Sequence, residues 1–142
     1  MNKASYENDF YAWTQQQAHL LKAGQIHQID GQNIAEEIAD MGRSEKRQLA
    51  SRLEILIMHL LKWQFQSNLR SRSWQLNIKE QRLRLDQLLQ ENPSLQSSLT
   101  EVINKVYPLA TISAERETGI YLFPETCPYE LTEILSAEFF PE

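Results

Sequence analysis

The stretch Ala50–Gln66, "ASRLEILIMHLLKWQFQ", decides the fold. It reads as an almost wholly apolar helix, long enough to run through the middle of a small protein. It carries Arg52 and His59, seven positions apart. At about 100° per residue, seven positions leave two side chains roughly 20° apart on the helix cylinder. Arg52 and His59 therefore share one line, beside Leu49, Leu56 and Trp63, at the border of the apolar face.

Working outward, helical periodicity dominates and strand-like alternation is nearly absent. Only four glycines and five prolines punctuate 142 residues, which favours long helices over a turn-rich β architecture. A first helix is predicted from Tyr6 to Ala23, capped by Ser5, with Phe10, Trp13, Gln17, Leu20 and Leu21 facing inward and Gly24 ending it. Asp30 should cap a second helix with Ile34, Ile38 and Met41 on its apolar face. At "DMGRSEK" Gly42 either stops that helix, with Ser44 capping the next, or is carried inside one long helix. The central helix ends near Phe65. Ser71 or Ser73 should cap a fourth helix to Gln90, with Trp74, Ile78, Leu85, Leu88 and Leu89 buried. "ENPSL" opens a fifth helix, with Asn92 as cap and Pro93 in its first turn. That helix is expected to kink at Pro108 and to end at Gly119. "IYLFPETCPYE" reads as a proline-punctuated extended segment, followed by a short helix from Tyr129 to Leu135. The expectation is an all-α, single-domain bundle of five to six helices spanning 1–142. A proline-rich segment lies near its C-terminus, and residues 1–5 and 136–142 form irregular tails.

Composition excludes several classes. A hydrophobic fraction of 42% with 23% charged residues fits a soluble globular protein. No apolar run approaches the roughly 18 residues of a membrane span. "MNKASYENDF" lacks the apolar core of a secretory signal, so a cytoplasmic protein without membrane association is expected. Cys127 is the single cysteine, which excludes an intramolecular disulfide. There is no glycine-rich phosphate loop, nucleophile elbow or zinc-type Cys/His array. Glu36 and Asp40 lie one turn apart, yet the Glu-x-x-His pairs of carboxylate metal bundles are missing. No cofactor or metal is expected.

The net charge of −5 is unevenly placed. Residues 1–119 carry 14 basic and 14 acidic side chains, whereas the remainder has five carboxylates and no Lys or Arg. Arg70, Arg72, Lys79, Arg82 and Arg84 face only Glu80 in their segment. Either the acidic tail folds onto this basic helix, or the helix, with Trp74 as a stacking platform, meets nucleic acid. The overall acidity favours the first.

Arg52 and His59 carry two readings. Structurally, Arg52 pairs with a carboxylate on a neighbouring helix and His59 stays neutral with both nitrogens hydrogen-bonded. Chemically, an imidazole near a fixed cation serves as acid or base while the cation stabilises developing negative charge. "Arg52-LEILIM-His59" resembles the Arg-then-His motif of the helical HEPN ribonucleases. That resemblance implies a metal-independent RNase, with His59 as acid–base residue and Arg52 as phosphate contact.

A broader resemblance spans roughly Ser5 to Pro141. "YENDFYAWTQQQAHLLKAG", "IAEEIADMGRSEKRQLASRLEILIMHLLKWQFQ", "RSRSW…IKEQR", "NPSL", "ETG" and "FPETCPY" together are similar to the bacterial domain-of-unknown-function family numbered twenty-nine. The resemblance implies a small all-helical cytoplasmic protein and no set activity. Residues shared with that pattern include Glu36, Glu37, Arg43, Arg52, His59, Lys62, Trp63, Arg72, Trp74, Arg82 and Glu117. If they converge in space they outline one polar pocket. The leading functional expectation is a protein-interaction or regulatory module with an unidentified protein partner. The apolar faces left exposed would support a homodimer.

Overall fold

The computed structural model describes residues 5–142; the start of the expected N-terminal tail, residues 1–4, lies outside the described residues. The architecture is all-α, with helices α1 (Phe10–Lys22), α2 (Gly31–Phe65), α3 (Arg72–Glu91), α4 (Leu99–Thr118) and α5 (Leu131–Leu135). Short 3₁₀ turns occupy Ile26–Gln28, Ser67–Leu69 and Pro93–Ser98. The chain divides into two compact units, Met1–Ser44 and Glu45–Glu142.

In the first unit α1 begins one turn later than expected. The Asp9 carboxylate accepts the Ala12 amide at 3.1 Å and is the cap. Ser5 instead closes a preceding turn, its hydroxyl accepting from the Asn8 amide. Gly24 ends the helix region at φ +74°, a left-handed conformation that glycine adopts without Cβ strain. Trp13, Gln17 and Leu20 are buried, but Phe10 and Leu21, expected on the inner stripe, are exposed. Asp30 caps α2 as expected, accepting from the amide of Asn33 and, at 2.8 Å, from its side chain. It also ties α2 to α1: Trp13 Nε1 donates to its carboxylate at 3.0 Å, and its own amide donates to Gln17 Oε1 at 2.7 Å.

Gly42 is carried inside one uninterrupted helix. Two of the three residues expected on the apolar face of its first half are a correction to the sequence reading: Ile38 is 63% and Met41 66% exposed, whereas Ile34 is half-buried.

The second unit holds the main core. Leu49, Leu53, Leu56, Ile57, Leu60 and Leu61 of α2 are fully buried, joined by Ile78 and Leu85 of α3 and Ala110 and Ala114 of α4. The Ser71 hydroxyl accepts the Trp74 amide and caps α3. Asn92 closes α3, its side chain donating to the Leu88 carbonyl and to Glu45. Pro93 opens a 3₁₀ turn rather than α4 itself, so the expected fifth helix starts later, at Leu99. α4 continues through Pro108 to Gly119, whose φ is +77°.

The tail does fold onto the basic helix, by a route the sequence did not suggest. Arg82 donates from Nε to the Ile134 carbonyl at 2.9 Å and from Nη2 to the Glu133 carbonyl at 3.2 Å. Arg70 donates to the Pro141 carbonyl. Among the described residues no tail carboxylate forms a salt bridge. Rings complete the anchoring: Phe140 against Trp63 and Phe123 against Phe65.

Candidate functional site

The central α2 segment positions His59 and Lys62 one turn apart, the i, i+3 spacing that puts side chains on one face. Both are buried, His59 to 8% residual exposure. Lys62 Nζ donates to Glu117 of α4 at 2.8 Å and lies 4.8 Å from the Trp74 ring centroid on α3. The structure thus gathers His59, Lys62, Trp74 and Glu117 from three helices into one polar cluster. Burial, reinforced by the Lys62 charge and opposed by Glu117, pushes the His59 imidazole below its ordinary range and keeps it neutral. Its Nδ1 is sealed from solvent without a hydrogen-bond partner, a departure from the expected doubly bonded ring. Imidazoles that act as acids or bases have the second nitrogen oriented by an acceptor. Nδ1 of His59 has none among the described residues.

Arg52 faces a different environment. Its Nη1 lies 3.5 Å from Gln81 Oε1, an amide on α3 rather than the carboxylate anticipated. With Gln48, Arg84, Gln87, Leu88 and Glu91 it lines a surface groove of about 180 Å³ that does not include His59. Seven residues also set the two apart by roughly 10 Å along the helix axis.

The other residues expected to share the pocket are distributed. Trp63 is covered by Phe140 on one side and by the Arg70 guanidinium, 4.9 Å from its centroid. Arg82 is 6% exposed, engaged by tail carbonyls, with Nη1 unpartnered and burial lowering its pKa to about 10. Arg72 is exposed and donates to Gln75. In the first unit, Arg43 pairs with Asp40, and Glu37 accepts a hydrogen bond from the Tyr6 hydroxyl. That bond raises the Tyr6 pKa to about 12. Glu36 is exposed. Within the second unit, the residues brought together are His59, Lys62, Trp74 and Glu117, a smaller cluster around Lys62.

The sequence reading missed two features. One is the latch of Trp13, Gln17 and Asp30, beside a cleft of about 670 Å³ within the first unit. The other is a groove of about 290 Å³ between α4 and the segment after Gly119. Only the folded chain brings these separated residues together. Among the described residues no group of three or more His, Cys, Asp or Glu is placed to hold a metal ion. No helix among them is long and apolar enough to cross a membrane.

The family model for the domain of unknown function DUF29 matches residues 5–140. The chain belongs to the DUF29 family. No curated protein and no solved structure matches it. Membership in DUF29 fits an all-α protein, and the cluster of buried Lys62 with the exposed Glu117 is the central polar feature of this member.

Proposed function

We propose that this DUF29 protein is a protein-interaction module that self-associates through its N-terminal unit. One observation carries the reading. The first half of α2 presents Ile38 and Met41 to solvent, while α1 and the following turn expose Phe10, Leu21 and Ile26. Five large apolar side chains left exposed on one small unit favour a surface that is covered in the working state. A two-helix unit this small rarely closes a sufficient core of its own, and pairing with its twin completes a four-helix arrangement. Along α2 the acidic Glu36, Glu37 and Asp40 precede the basic Arg43, Lys46 and Arg47. An antiparallel, two-fold pairing sets one copy's acids against the other's bases. The exposed Arg43–Asp40 pair is weak enough to exchange partners.

The alternatives gain less. Nucleic-acid binding by the basic segment draws on fewer cations than the sequence offers, since Arg70 and Arg82 hold the tail and Arg84 pairs with Glu80, leaving Arg72 and Lys79. RNase chemistry by Arg52 and His59 needs an oriented imidazole facing the cation, and neither condition has support in the geometry above.

Sedimentation velocity across a concentration series tests self-association. The wild type is expected to dimerise and the Ile38→Glu, Met41→Glu double variant to remain monomeric. Each of those side chains contributes about 1.5–3 kcal/mol when fully buried. A wild type that sediments as a monomer up to its solubility limit overturns the proposal.

A further inference from the structure

The groove between α4 and the segment after Gly119 lies within the second unit. Its floor and walls include Tyr107, Ile112, Tyr121 and Phe123, and its only charged lining residues are Glu115 and Glu125. Tyr107 is buried and fixes one wall, its hydroxyl donating to the Pro124 carbonyl at 2.6 Å. Phe123 is held by Phe65, with ring centroids 5.4 Å apart. Beside them the segment is open: Tyr121 is 72% and Leu122 76% exposed.

Two further observations say what this surface takes. Tyr121 and Phe123 both line the groove whereas Leu122 does not, the alternation of an extended chain. Among the described residues, no backbone–backbone hydrogen bond involves Tyr121, Leu122 or Phe123. A stretch with unengaged amides and carbonyls is a template for an incoming strand, where main-chain bonds give affinity and side-chain pockets give selectivity. A volume of about 290 Å³ falls at or below the lower end for small-molecule sites and suits one or two apolar side chains. Glu115 on α4 and Glu125, in the stretch after Arg116 that holds no Lys or Arg, are the groove's only charged lining residues and select positive charge in what flanks those side chains.

We infer that the groove formed by α4 and Tyr121–Phe123 binds an extended, lysine- or arginine-bearing peptide segment of another protein. Its backbone pairs with that of Tyr121–Phe123, an apolar side chain enters between Ile112 and Tyr121, and its cations meet Glu115 and Glu125.

The test uses the full chain and fluorescence anisotropy with short labelled peptides. The probes are one alternating lysine and valine, the same peptide with N-methylated valine amides, and one alternating glutamate and valine. The Lys/Val peptide should bind saturably. The Glu115→Lys, Glu125→Lys variant should weaken it by about tenfold or more, while a Glu91→Lys, Glu101→Lys control of equal net charge should not. The N-methylated and Glu/Val peptides should bind at least as weakly as the Lys/Val peptide does to the groove variant. All four substituted positions are exposed, and circular dichroism checks that each variant folds. Absence of saturable binding overturns the inference, as does equal binding to both charge variants. Full affinity for the N-methylated peptide refutes the backbone pairing.

Discussion

Replacing Gly42 by alanine is the sharpest test of the continuous α2 helix. Gly42 sits inside Gly31–Phe65 with a negative φ, and a Cβ built there meets no atom within 4 Å. Nothing in the fold therefore requires a glycine at this point. Alanine should recover the helix propensity that glycine lacks, about 1 kcal/mol, with no steric cost against it. That corresponds to a roughly fivefold smaller population of locally opened helix. In native-state hydrogen exchange, amides flanking position 42 should slow by that factor, and the thermal midpoint should rise by about 3–5 °C for a chain of this size. Gly119→Ala is the matched contrast. Its φ of +77° is left-handed, where an L-residue costs roughly 1–2 kcal/mol, so that variant should lose stability. Faster exchange or lost helicity in Gly42→Ala would refute the reasoning, because it would mean that the chain uses a break at this position.

Two other outcomes follow from the polar cluster. The His59 pKa is depressed in the folded protein, so the unfolded chain binds the extra proton more readily. The stability linked to His59 is thus fully present above the ordinary imidazole pKa of about 6.5 and is lost as pH falls through the lower folded value; His59→Leu should flatten the acid-side decline in urea midpoints. Glu117→Gln keeps an acceptor for the Lys62 ammonium but removes its half-exposed counter-charge and should cost about 0.5–1 kcal/mol, measured by equilibrium unfolding at neutral pH.

Much of the architecture was legible because it rests on local rules. The helix through Ala50–Gln66, the caps at Asp30 and Ser71, and the stops at Gly24 and Gly119 all follow from residue type and spacing. Ser5 lost to Asp9 because two capping residues lay within one turn and sequence alone does not rank them. Ile38 and Met41 were misread because helical periodicity identifies an apolar face without saying what covers it. The candidate site was legible only in part. Lys62 and His59 share a visible spacing, but the meeting with Glu117 and Trp74 depends on how three helices pack. The tail's attachment was foreseen in direction and not in chemistry, since a charge count registers side chains and ignores carbonyls.

That attachment has a consequence for how the protein responds to its surroundings. Guanidinium groups that grip main-chain oxygens, as Arg70 and Arg82 do, are far less sensitive to dissolved ions than exposed acid–base pairs would be. Concentrated salt should leave the last residues seated. The grip also reads no particular side chain at Glu133, Ile134 or Pro141, so composition there is free to drift so far as this hold is concerned. Glu138 and Glu142, which form no ion pair among the described residues, keep their charge directed outward.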